Sequence, residues 1–116
     1  MNKHLIFLFL TIFLSLLVFH GCSRPLVDDQ LHFGIDAAQK DLWDEAIFRW
    51  KKVLETTPAS AAAHNNLAVA YEKKGLWEEA KKEYEIALRL SPENSYIKSN
   101  YQNFKNHYER KKDEEI

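Results

Sequence analysis

Residues 61–94 read AAAHNNLAVAYEKKGLWEEAKKEYEIALRLSPEN, and residues 27–60 read VDDQLHFGIDAAQKDLWDEAIFRWKKVLETTPAS. Laid over each other, the two 34-residue stretches place Trp43 on Trp77, Glu45 on Glu79 and Ala46 on Ala80. They also place Trp50 on Tyr84, Leu54 on Leu88 and Pro58 on Pro92. A fixed period of this length marks one supersecondary unit used more than once, each copy burying its apolar face on the next.

Within each unit the apolar residues recur at helical spacing. Trp43, Ala46, Ile47, Trp50, Val53 and Leu54 step by three and four residues, and Trp77, Ala80, Tyr84, Ala87 and Leu88 repeat the pattern. Phe33, Gly34 and Ala37 make a shorter stripe upstream, matched by Leu67, Ala68 and Tyr71. One apolar face per helix is the signature of helices that pack on each other. Small residues at Gly34, Ala46, Ala68 and Ala80 let helices approach closely, and the tryptophans and tyrosines fill the space between.

Punctuation residues divide the chain into five predicted helices, over about 28–40, 43–56, 61–74, 77–90 and 95–112. Pro58 and Pro92 cannot continue a helix, and they push Thr57 and Ser91 out of helical geometry. Gly75 stands where a left-handed residue ends a helix. Asp41 occupies the equivalent place in the first unit and carries a side chain that disfavours that geometry, so a strained first turn is expected. Ser60 and Asn94 are suited to cap the helices that follow them. In the last segment Ile97, Tyr101, Phe104 and Tyr108 form one apolar stripe amid polar residues, as a helix that closes a stack requires. The expected fold is all-α: two helix hairpins, residues 27–60 and 61–94, and a capping helix over 95–112. The segment Arg110 to Glu115 is wholly charged and is expected to fray.

The residues Asn66-Leu67-Ala68, Tyr71, Gly75, Trp77-Glu78-Glu79-Ala80, Tyr84, Ala87-Leu88 and Pro92 strongly resemble the tetratricopeptide repeat. The preceding unit resembles it through Phe33-Gly34, Trp43-Asp44-Glu45-Ala46, Trp50, Leu54 and Pro58, with Ala37 in place of the family's tyrosine. The resemblance implies an α-solenoid in which the first helix of each hairpin lines a groove for a peptide or a partner domain. Carried onto this chain, the groove positions are Asp28, Leu31, Ile35 and Ala38, then Ala62, Asn65, Val69, Glu72 and Lys73, then Ser99, Asn103 and Asn106. Leu31, Ile35 and Val69 would form an apolar line beside polar Asn65, Glu72 and Asn103. An extended or helical peptide fits such a surface. The same apolar residues could instead pack on the tether or on another copy of the chain. Asn66 resembles one member of the carboxylate-binding set of chaperone-docking relatives, but Leu31 and Ile35 replace its basic members, so binding of chaperone tails is not expected.

Upstream of the repeats, Lys3 and His4 precede an apolar run of 15 residues, Leu5 to Phe19, and Gly21 and Cys22 follow. A basic start, an apolar core and a small residue before a break describe a secretory signal over residues 1–21. The run is short of the roughly 20 residues that span a bilayer, although tilt and bilayer thinning absorb some mismatch, so an uncleaved anchor is the alternative. Residues 22–27 then read as a tether in which Pro25 opposes helix, with a repeat domain over 28–112 and a charged tail over 113–116. Val18-Phe19-His20-Gly21-Cys22 resembles the lipobox of bacterial lipoproteins, although Phe19 and His20 replace its usual leucine and small residue. The resemblance implies cleavage before Cys22, lipid on its thiol, and retention on the exported face of a bacterial inner or outer membrane. Ser23 is not the aspartate of an inner-membrane retention signal, which favours the outer membrane. Cys22 is the sole cysteine of the 116 residues, so no internal disulfide forms.

The net charge is −1, and lysine and glutamate alternate along the helices. Nucleic-acid binding needs clustered cations, which the sequence lacks. His32, His64 and His107 have no metal-ligand spacing and read as surface or edge residues. Glu45, Glu78 and Glu79 sit at helix N-termini, where the helix dipole favours them. No phosphate loop or nucleophile elbow is present, so neither an enzyme nor a cofactor is expected. Two hairpins and one helix bury a limited core, so a partner or self-association into a homo-oligomer is expected to add stability. A fixed structural subunit of an envelope complex is the alternative role.

Overall fold

The computed structural model describes residues 2–3 and 24–114; most of the signal segment and Cys22 lie outside the described residues. Over the described residues 24–114 five helices follow one another: α1 (Arg24–Gln39), α2 (Trp43–Thr56), α3 (Ala61–Lys73), α4 (Trp77–Leu90) and α5 (Ser95–Glu114). Each packs on its neighbour in sequence, and α3 also touches α5. That is the nearest-neighbour stacking of a solenoid.

Two helix ends differ from expectation. The stretch 24–27, expected as tether, is the first turn of α1. Proline removes a donor that a first turn leaves unpaired anyway, and its fixed φ suits the helix, so Pro25 opens α1. At the other end α5 runs on through Glu114, past the expected stop at Lys112. Lys111 and Lys112 in its last turn face the negative end of the helix dipole.

The two hairpin turns are built alike. Leu42 N–H donates to Ala37 O at 2.9 Å and Leu76 N–H to Tyr71 O at 2.8 Å. Asp41 N–H donates to Ala38 O and Gly75 N–H to Glu72 O, each at 3.0 Å. This paired pattern ends a helix through one left-handed residue. Gly75 holds it at φ 72° and Asp41 at φ 57°. For glycine that conformation is free of strain, whereas a side chain costs roughly 1 kcal/mol there. Asp41→Gly is therefore expected to raise stability by about 0.5–1 kcal/mol, visible as a higher denaturation midpoint in urea. An unchanged or lower midpoint would show that the aspartate gains something the backbone geometry does not reveal.

The next helix starts are capped by side chains. Ser60 Oγ accepts from Ala63 N–H at 3.2 Å, and Asn94 Oδ1 accepts from Ile97 N–H at 3.1 Å. Each such cap contributes about 1 kcal/mol.

The core falls into two linked clusters. Ala37, Ala46, Trp50, Leu67 and Ala70 join α1, α2 and α3. Ala68, Ala80, Tyr84 and Phe104 join α3, α4 and α5. Trp50 is 3% exposed, while Trp43 and Trp77 are half-buried at the cluster edges. Gly34 lies directly on Trp50: a methyl group built there would sit 2.3 Å from the indole nitrogen. That nitrogen donates to the carbonyl of Leu31 at 3.2 Å, so the ring is fixed as well as packed.

His64 corrects the surface reading of the histidines. It is buried, with Nδ1 2.5 Å from Glu83 Oε2 and Nε2 2.8 Å from Pro58 O. The ring thereby ties α3 to α4 and to the preceding turn. Burial of a ring nitrogen without such partners would be costly.

Tyr84 is the buried aromatic of α4, and its hydroxyl donates to Glu72 Oε2 at 3.0 Å. Burial, reinforced by the Glu72 carboxylate, drives its phenol well above the usual value of 10.0. Tyr101 shifts in the same direction through burial and Glu85. A folded state that holds these protons more tightly is favoured below pH about 10 and loses that advantage as the pH climbs toward the folded values. In an alkaline titration followed at 295 nm, Tyr84 is expected to ionise only with loss of the helical signal. Tyr84→Phe is expected to lessen the stability lost between neutral and strongly alkaline pH. Ionisation of all five tyrosines in a still helical protein would refute the assignment.

Candidate functional site

The first helices of the hairpins, α1 and α3, and the cap α5 carry the expected partner face. Tertiary structure sorts its residues into those that hold the scaffold and those left open. Asn65 belongs to the scaffold. It is 2% exposed, its Oδ1 accepts from Asn100 Nδ2 at 3.1 Å, and its own amide donates to Asn66 Oδ1 at 3.4 Å. The amide pair locks α5 onto α3. A buried amide without partners would cost about 1–3 kcal/mol, so this pairing accounts for Asn65 without a ligand.

Glu72 is half-buried and doubly engaged. Its Oε2 accepts from Tyr84, and its Oε1 lies 3.2 Å from His107 Nδ1. Leu31 and Val69 are half-buried and pack on the first and second clusters respectively. Asn66 is partly open. Ile35, Lys73 and Asn103 are exposed, as are Asp28, Ala62, Ser99 and Asn106. Ile35 is the largest apolar member of that open set, at 37% exposure. The face is therefore a partly apolar surface with exposed polar edges, and the Asn65–Asn100 and Glu72–Tyr84 pairs form a hydrogen-bonded floor under its α3 part.

Sequence spacing does not reveal the partners of His64 and His107. Each faces a carboxylate far away in the chain, Glu83 and Glu72. No local motif announces a pair that only the stacking of α3, α4 and α5 brings together. Among the described residues no three His, Cys, Asp or Glu side chains come together as a metal site. No described helix is long and apolar enough to cross a membrane.

Comparison with known proteins agrees with the geometry. Residues 61–94 match a tetratricopeptide repeat profile, and residues 38–75 match a second TPR repeat profile. The chain is similar to the C-terminal TPR-containing domain of a Plasmodium falciparum protein described as FK506-binding. The TM-score is 0.70 at 25% identity, over 75% of this chain and 58% of that one. It is also similar to protein O-mannosyl-transferase TMTC4 of Mus musculus, 44% identical over 50 residues, which is 43% of this chain and 7% of the mouse protein. The chain thus spans only part of each of these proteins. Two matched profiles, a duplicated hairpin with identical turn bonding and a shared solved fold lead to one conclusion: the chain is a tetratricopeptide repeat protein.

Proposed function

We propose that the chain is a membrane-tethered protein–protein interaction module, which holds a peptide or partner domain as part of an envelope assembly. Tetratricopeptide repeats imply protein partners, and the role is binding rather than catalysis. The observation that carries the reading is the open set on the first-helix face. Ile35, Lys73 and Asn103 stay exposed, while Asn65 and Asn100, and Glu72 and Tyr84, are already paired across the helices, which supports a firm, preformed surface. A preformed surface reduces the ordering cost of binding.

The tether is lipid on Cys22, after removal of residues 1–21, on the exported side of a bacterial membrane. One acyl chain gives only marginal anchoring, and two or three give stable retention. The α1 helix begins at Arg24, two residues beyond the thiol, so the repeats would lie close to the bilayer surface.

Two measurements test the proposal. The intact mass of the mature protein is expected to lack residues 1–21 and to include acyl chains, and Cys22→Ser is expected to release the repeats from the membrane fraction. An unprocessed mass would sink the lipid tether. For the partner face, a photo-crosslinking residue at Lys73 is expected to capture a specific protein, and one at Arg89 is not. Ile35→Asp is expected to cut the Lys73 adduct by roughly tenfold, the usual scale for a central apolar contact. Equal capture from both positions would refute the groove.

A further inference from the structure

The open end of the stack at α1 carries a second surface, distinct from the first-helix groove. In the second repeat Leu67 and Ala70 of α3 pack with Ala46 and Trp50 of α2, Ala63 continues their stripe by spacing, and Ala63, Leu67 and Ala70 are 0%, 1% and 0% exposed. The residues 34 positions earlier are Asp29, Phe33 and Asp36 on α1. This stripe is open: Phe33 is 51% exposed and both aspartates are exposed. Beside it on α2 stands Phe48, 50% exposed. The Arg49 guanidinium lies 5.6 Å from the centres of both phenyl rings and joins them into one patch. Lys52 lies one turn beyond Phe48, with its ammonium 5.7 Å from that ring.

An apolar helix of the α2 type cannot cover this stripe well. It would bury Asp29 and Asp36 without partners, which is strongly unfavourable. The cover must bring an aromatic or aliphatic group flanked by cations. That description fits the neighbouring half of the patch itself, with Phe48 between Arg49 and Lys52. We infer that the α1–α2 end face is a self-association surface, on which a second copy of the chain docks about a two-fold axis. The axis sets α1 of each copy over α2 of the other, with Phe33 against the partner subunit's Phe48 and the α1 aspartates opposite the partner's bases. Such an interface is self-complementary and closes at two subunits. The other end of the stack does not offer the same match. There α5 turns Lys98, Gln102, Asn106 and Glu109 outward as a polar stripe, and its one exposed ring, Tyr96, stands in the first turn. The local pairs Arg49–Glu45 and Lys52–Glu55 are partly exposed and weak enough to exchange for the partner's aspartates.

The full chain in detergent, with its mass read by sedimentation equilibrium at the detergent density match, is expected to form a dimer that dissociates on dilution. Phe33→Asp changes a half-exposed side chain, so helical content is expected to hold while the dissociation constant rises at least roughly tenfold. Asp29→Lys with Asp36→Lys is expected to weaken the dimer likewise. Adding Arg49→Glu and Lys52→Glu to that chain is expected to restore it. A wild type that stays monomeric at every concentration would assign the face to another occupant and overturn the inference. So would a dimer indifferent to Phe33→Asp, or a four-substitution chain that does not recover.

Discussion

Trp50→Ala is expected to remove about 3–5 kcal/mol of stability, the usual cost of deleting a buried tryptophan. The reason is its position. Trp50 sits where α1, α2 and α3 meet, 3% exposed, with Ala37, Ala46, Leu67 and Ala70 around it. Its indole N–H also satisfies the Leu31 carbonyl, so truncation loses a hydrogen bond along with the ring. A domain of this size has little stability to spare, so most of the variant is expected to be unfolded at 37 °C. Gly34→Ala approaches the same contact from the other side. The new methyl would meet the indole at 2.3 to 2.7 Å, and the ring cannot swing away without breaking its bond to Leu31. Overpacking of this kind costs about 1–3 kcal/mol. The two changes should not add, because the alanine at 34 enters the space the ring has left. Urea denaturation of both single variants and the double variant forms the cycle. A double variant destabilised by the full sum of the two singles would show that Gly34 and Trp50 do not share one contact.

The contact between Gly34 and Trp50 also shows why the fold was legible in the sequence. The 34-residue match pairs Trp50 with Tyr84 and Ala46 with Ala80, and all four prove buried. Turn residues were equally readable. Asp41 and Gly75 share an offset, a hydrogen-bond pattern and a positive φ, because the same hairpin geometry demands all three. What periodicity does not carry is the identity of a helix's neighbour. Phe33 continues the α1 stripe, yet it is half open, whereas Leu67 at the same offset is covered by Ala46 and Trp50 of α2. Pro25 reads as a helix breaker unless it is known to stand in a first turn.

The partner face was less legible for a related reason. Groove positions were assigned by register, and register fixes only which way a side chain starts. Whether Asn65 ends in solvent or against Asn100 depends on where α5 crosses α3, 35 residues away in sequence. The same holds for Glu72, claimed by Tyr84 and His107 from two other helices. Polar residues that look like ligand contacts in the sequence can thus be interhelical ties. Of the assigned positions, Asp28, Ile35, Ala62, Lys73, Ser99, Asn103 and Asn106 remain exposed.

Phe104→Ala is expected to cost a similar 3–5 kcal/mol, but with a different spatial pattern. Phe104 is 1% exposed and lies against four rings: Tyr84 at 5.1 Å, Tyr108 at 5.6 Å, Trp77 at 6.1 Å and Tyr101 at 6.4 Å between centroids. It is the main apolar anchor of α5 on α4. In a stack held by nearest-neighbour contacts, loss of a terminal anchor releases the end before the middle. Hydrogen exchange of Phe104→Ala is therefore expected to show α5 unprotected and α4 weakened, while α1 and α2 keep most of their protection. Trp50→Ala, which strikes the junction of three helices, is expected to lower protection throughout. The Asn65–Asn100 bond would break with the release of α5, leaving a buried amide on α3 that water must enter to satisfy. The first-helix face would then lose its floor, so partner capture through Lys73 is expected to fail in Phe104→Ala although no groove residue has changed. Uniform loss of protection in both variants would show that the five helices unfold as one unit and that the stack is not held by separable neighbour contacts.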